Sequence, residues 1–249
     1  MSRVVAALLA LALVVLKGAT QVGWVATNAT LEFWIIAGAG AVVFVQSIRG
    51  GVQLYRLPRR EHRQKQLEKA VLASLKSIGQ ITLLDLTALG GSLFVLPRHR
   101  WLWKRRHLTR RIRYRLNEYP QGSGIFWTEG KGAVGQAVRD LAPRHFDWRQ
   151  VAATWNEPGI VPAEAYDALS KADRMGFSYD EFRKIAPKYA EGLAVPILSE
   201  DSERILGVFA VDVPYAPELK DQPCRLDSPQ VIQIATACAG VLRDILDES

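Results

Sequence analysis

Apolar residues occupy nearly every position over 4–16 and again over 33–48, and only beyond them does the chain settle into periodic patterns. A spanning helix needs ~20 residues to cross the hydrocarbon core. The first run reaches that length through Gly18, Ala19, Val22, Gly23 and Trp24 when Lys17 snorkels or faces the second helix. Thr27–Thr30 then makes a polar turn, so residues 1–50 are predicted to form a transmembrane helical hairpin. A secretory signal peptide with 4–16 as its apolar core is the competing reading. The absence of a clean small-x-small cleavage site before the second run favours the hairpin. Arg49, Arg56, Arg59, Arg60, Arg63 and Lys65 follow the second run, while the turn before it carries no basic residue. The positive-inside rule therefore places the rest of the chain in the cytoplasm of a multi-pass cell-membrane protein.

Residues 51–66 read as a basic juxtamembrane linker, and 67–249 as one domain. From Gln64 a helical stripe of Leu67, Val71, Leu75 and Ile78 predicts a helix to about Leu89, stopped by Gly90-Gly91. SLFVLP (92–97) reads as a short buried strand. LTRRIRYRL (108–116) alternates Leu108, Ile112, Tyr114 and Leu116 against Thr109, Arg111, Arg113 and Arg115, with Arg110 the single charge on the apolar side. GKGAVGQAVRDLA (130–142) reads as a glycine loop opening a helix. The less regular stretch 143–190 holds predicted helices over Ala163–Met175 and Tyr179–Ile185. LAVPIL (193–198) and ILGVFAVDV (205–213), joined by Ser199–Glu203, make a hairpin, and an amphipathic helix over 228–247 closes the chain.

Charge is divided unevenly. Arg49–Pro120 carries 17 Lys/Arg against 4 Asp/Glu, net +13, whereas Gln121–Ser249 carries 13 against 20, net −7. Only the front half calls for an anionic partner. The loop part of the basic stretch 98–115 sets Trp101 and Trp103 beside Lys104, Arg105 and Arg106. Downstream of an anchor, with no nucleic-acid module around it, that combination predicts contact with anionic lipid and no nucleic-acid partner. The strand part is a separate matter, with Arg111, Arg113 and Arg115 either a solvated face or a wall for a small anionic ligand. The two cysteines, Cys224 and Cys238, do not form a disulfide framework.

The order helix, β-pair, glycine loop with helix, β-pair and closing helix resembles a GAF domain. The likeness is carried by 91–97 with 108–116, by Gly132-Ala133-Val134-Gly135-Gln136-Ala137, by 193–198 with 205–213, and by the 228–247 helix. It implies an α+β fold, an antiparallel sheet with helices packed on one face and a ligand cavity over the other. It also implies pairing of the end helices into a homodimer. The N-K-F-D-E signature of cyclic-nucleotide-binding members is absent, since two residues lie between Phe177 and Asp180 where that motif has three.

Catalytic chemistry is sparse. Gly130–Gly135 fits G-x-G-x-x-G, but it follows strands that read as antiparallel, against dinucleotide binding. What remains for Gly132 and Gly135 is anion holding at a helix start, or a tight turn that needs small residues. The four histidines show no metal-ligand spacing, and no nucleophile or Walker motif occurs. The expectation is a non-enzymatic, membrane-anchored sensory or docking module without a cofactor. The alternative is a two-helix membrane effector driven by a nucleotide signal.

Overall fold

The computed structural model describes residues 61–97, 107–117, 119–202 and 204–247. The predicted hairpin 1–50 lies outside the described residues, and among them no helix is long and apolar enough to cross a membrane.

Helix α1 covers 61–82, and Leu67, Val71, Leu75 and Ile78 form its buried stripe. It ends seven residues before the predicted stop. Leu83 adopts a left-handed φ of 58°, and the Thr82 carbonyl accepts a hydrogen bond of 2.7 Å from Arg225 Nη1. A side chain 143 residues away thus satisfies a helix end that sequence periodicity would have continued.

Strands β1 (Gly90–Val95), β2 (His107–Arg115) and β3 (Trp127–Thr128) are followed by α2 (Gly132–Asp140) and by β4 (Arg144–Asp147). Short helices α3 (Arg149–Trp155), α4 (Pro162–Ala168), α5 (Lys171–Arg174) and α6 (Tyr179–Ile185) fill the irregular stretch. Strands β5 (Tyr189–Leu198) and β6 (Ile205–Pro214) precede the closing helix α7 (Pro229–Asp247). The helix expected over 163–175 is split because Leu169 is extended and Ser170 caps a new turn, its side chain accepting from the Asp173 N–H. Helix α6 matches its expected bounds and starts on a capping box between Ser178 and Glu181.

All strand pairs are antiparallel, in the order β3-β2-β1-β6-β5-β4, so the dinucleotide fold is excluded within this sheet. Period-2 alternation along β1, β5 and β6 feeds two separate cores. Leu93, Leu193, Val195, Phe209 and Val211 face α1 and α7. Phe94, Ala194, Val208 and Ala210 face the layer made by α2 to α6. The expectation of helices on one face is corrected here. The terminal helices take one face, as the GAF resemblance implied, but the 132–185 segment roofs the other, because aromatics such as Trp148, Trp155 and Phe182 need burial too.

Candidate functional site

Between the sheet and this roof lies a cavity of about 70 Å³. One water needs roughly 10–15 Å³ on this measure, so the space takes roughly five to seven waters or one small ring. Phe94, Trp127, Phe146, Trp148 and Phe177 supply aromatic walls, while Arg110, Arg113, Asp212, Tyr189, Ser92 and Ser123 supply the polar groups.

Two β-bulges decide which side chains reach it. On β2, Ile112 is opposite Leu93 and Arg110 is opposite Phe94, leaving Arg111 unmatched. On β5, Glu191 is opposite Val213 and Tyr189 is opposite Pro214, leaving Ala190 unmatched. Each extra residue reverses the alternation, re-aiming Arg110 and Tyr189 into the cavity. Arg111, which unbroken alternation assigned to this face, is exposed and does not line the cavity. Arg110 takes its place. No glycine or proline marks the bulge in the sequence.

The four charges at this end are handled unequally. Arg115, Gly90 and Asp212 stand abreast across β2, β1 and β6. Because Gly90 has no Cβ, the Arg115 guanidinium crosses over it and pairs with Asp212. Asp212 thus relieves part of the repulsion among the strand arginines. Burial raises the Asp212 carboxyl above its ordinary range, opposed by Arg115, Arg110 and Arg113. Arg113 lines the cavity and donates to the Pro120 carbonyl. Arg110 is different. Its guanidinium lies 5.1 Å from the Phe94 ring centroid, and its Nε, like that of Arg115, is buried without a hydrogen-bond partner. Burial lowers its pKa. Three guanidiniums against one carboxylate leave this end at net +2.

Replacing Gly90 with Ala should displace the guanidinium rather than the strand, since the atoms nearest a Cβ there belong to the far end of the Arg115 side chain. The expected cost is about 1.5–3 kcal/mol, the worth of a charge-assisted hydrogen bond. Urea denaturation in a cycle with Asp212→Asn checks it. An equal cost of the Gly90 change in both backgrounds would reject the bridging role.

Gly132 and Gly135 serve packing rather than anion holding. The Gly132 N–H donates to Met175 O at 2.7 Å, and that of Gly135 donates to Lys131 O at 2.9 Å. Gly132 has φ +60°, and a Cβ on it would lie 2.7 Å from Phe177 Cζ. On Gly135 a Cβ would run into the Thr128 carbonyl. These backbone donors are spent, although Gly132 still contributes to the cavity wall. The loop residues Trp101, Trp103, Lys104, Arg105 and Arg106 lie outside the described residues.

On the opposite face of the sheet the fold gathers His145, Glu191 and Cys224, which sequence spacing did not connect. Asp147 is the cross-strand partner of Glu191. The Cys224 thiol is pushed up to about 12 by burial and by the Asp147 and Glu191 carboxylates, so it is a poor nucleophile at neutral pH.

No family model matches the chain, and no curated protein does. Solved structures are similar in part. One is the blue-light-absorbing form of the PixJ GAF domain of Thermosynechococcus elongatus, at 13% identity and TM-score 0.37, covering 74% of this chain and 87% of that one. A structure titled simply as that of the GAF domain has 13% identity and TM-score 0.36, covering 72% and 88%. The third is the inducer-binding domain of the transcription factor PobR from Acinetobacter, in complex with 3-hydroxybenzoic acid. It shows 13% identity and TM-score 0.34 over 71% of this chain and 97% of that one. The sheet itself has the terminal helices on one face and a cavity on the other, the arrangement expected from element order.

Proposed function

We propose that this domain is a sensory module whose cavity takes a small organic anion carrying one ring and a carboxylate or phosphate. The observation that carries the reading is Arg110, a half-buried cation whose buried Nε is unsatisfied, beside Phe94 at the net-positive end of an aromatic cavity. A guanidinium in that position gains from an anionic acceptor what water and protein do not supply. The aromatic walls favour a ring stacked or edge-on against them. Cavity size favours a single ring over a whole nucleotide.

Residues 1–50 anchor the chain in the cell membrane, the domain lies on the cytoplasmic side, and it acts as a homodimer without catalysis. Neither a nucleic-acid partner nor a cofactor is part of this reading.

Benzoate, phenyl phosphate and inorganic phosphate, each titrated against fragment 57–249, test the ligand class by thermal denaturation. A ligand at a hundred times its Kd adds about 2.7 kcal/mol to stability. For a domain of this size that is a rise of roughly 5–10 °C in Tm. A flat response to all three anions would remove the sensory reading. A response to inorganic phosphate equal to that with phenyl phosphate would remove the aromatic part.

Membrane contact by the 98–106 loop has its own test. Trp101→Ala with Trp103→Ala should reduce co-sedimentation of fragment 57–249 with anionic vesicles several-fold, and high salt should do the same. Circular dichroism reports that the fold is kept. Vesicle binding that is indifferent to both treatments would place the loop elsewhere.

A further inference from the structure

The geometry points to a second, metal-binding site on the opposite face of the sheet, in which His145, Glu191 and Cys224 hold a divalent transition-metal ion of the zinc class. It is independent of the proposed cavity ligand and has its own donors.

Three separate parts of the chain supply the side chains. His145 and Asp147 are two apart on edge strand β4, so they project from the same face. Phe146 between them packs toward the cavity. Glu191 is on the adjacent strand β5, directly across from Asp147. Cys224 comes from the segment that leads into α7. The imidazole nitrogen, a carboxylate oxygen and the sulfur all lie within 4.8 Å of one another. Ligand atoms about 2.0–2.3 Å from a tetrahedral ion sit roughly 3.4–3.8 Å apart. A contraction of about 1 Å, within reach of side-chain rotation, would complete the site.

The donors also choose the ion. A thiolate with an imidazole and one carboxylate suits Zn²⁺ or Co²⁺ and is foreign to Mg²⁺ and Ca²⁺, which take oxygen ligands. Glu191 is 3% exposed and is held by the N–H groups of Arg225 and Leu226 at 3.1 Å, so its carboxylate is positioned before any ion arrives. His145 Nε2 is 3.3 Å from Glu191 Oε2. Asp147, gripped by Arg149 through bonds of 2.9 and 2.7 Å, stands beside the thiol as an outer carboxylate. A water completes four-coordination on the side where His145 and Cys224 are half-exposed. With the thiol ionised, the ion and Arg149 together offset Glu191, Asp147 and Cys224. The cluster is then electrically balanced. An ion here would fasten the edge of the sheet to the segment entering α7.

Cobalt reads this out without reliance on any activity. The purified full chain, stripped by chelator and titrated with Co²⁺ under reducing conditions, should develop a thiolate-to-cobalt charge-transfer band in the near ultraviolet at one equivalent. Zn²⁺ should displace it. Cys224→Ser should abolish the band, and His145→Gln should weaken cobalt binding at least tenfold, with circular dichroism checking the fold of each. Cys238→Ser, on the buried face of α7, should leave the band intact. The absence of a band in the unaltered chain overturns the proposal, and so does a band that survives Cys224→Ser or needs Cys238. Should Cys224→Ser fail to fold, His145→Gln decides alone, and undiminished binding there overturns it.

Discussion

Replacing Arg110 with methionine should leave the ligand-free domain at least as stable as before while weakening anion binding by about 10–150-fold. The two halves of that result come from one environment. In the free protein the half-buried guanidinium has gained the Phe94 face, but its buried Nε has no acceptor. An unsatisfied buried polar group costs about 1–3 kcal/mol, against about 0.5–2 kcal/mol from the cation–π contact. Methionine fills similar space without needing a partner, so stability should hold or rise slightly. Asp212 keeps its Arg115 partner and is not stranded by the change. In the complex the balance reverses, because the charge-assisted bonds to the anion, about 1.5–3 kcal/mol, go with the side chain. Urea denaturation gives the first half and calorimetric titration with phenyl phosphate the second. A variant that loses more than about 1 kcal/mol yet binds normally would show that Arg110 is there for structure.

Phe182→Ala should be among the most destabilising single changes in the domain, at about 3–5 kcal/mol. Phe182 is fully buried, and its ring centroid lies 5.0 Å from Trp148, 5.4 Å from Trp155 and 5.6 Å from Tyr166. It therefore joins α3, α4 and α6, none of which is long enough to persist alone. Trp148 also walls the cavity, so the lost ring removes support from the roof. A few kcal/mol is a large share of the 5–15 typical of a domain. The expected outcome is a markedly lower urea midpoint together with loss of the ligand-induced Tm rise. Phe182→Leu, which keeps more of the volume, should lose less. A change of under 1 kcal/mol for Phe182→Ala would mean that the roof is loosely packed.

Elements with long, regular spacing were legible in the sequence. The α1 stripe, the β5–β6 hairpin and α7 all appear where the hydrophobic period places them, and the short α6 keeps its expected bounds. Strand β4, with four residues, is too short to establish a period, and α3 went unread although it is no shorter than the seven-residue α6. The candidate site was half legible. Counting by twos found Arg113 and Arg115 but chose Arg111 over Arg110, because an unmatched residue leaves no trace in composition. Tyr189 went unnoticed for the same reason. The His145, Glu191 and Cys224 group depends on chain closure across 80 positions, which no local spacing encodes.

The unmatched Arg111 also inverts the usual rule for length changes in a strand. Loss of one residue from a sheet normally turns every later side chain to the wrong face. Here the pairing on either side, Phe94 with Arg110 and Leu93 with Ile112, is that of a regular ladder once Arg111 is left out. A chain shortened by that residue keeps its arginine toward the cavity and Ile112 toward the helices. A chain lengthened by one beside it does not. Relatives of this domain are therefore free to differ in length by this single codon without changing what the cavity presents, and an alignment that slides the arginines to close the gap would pair the wrong ones.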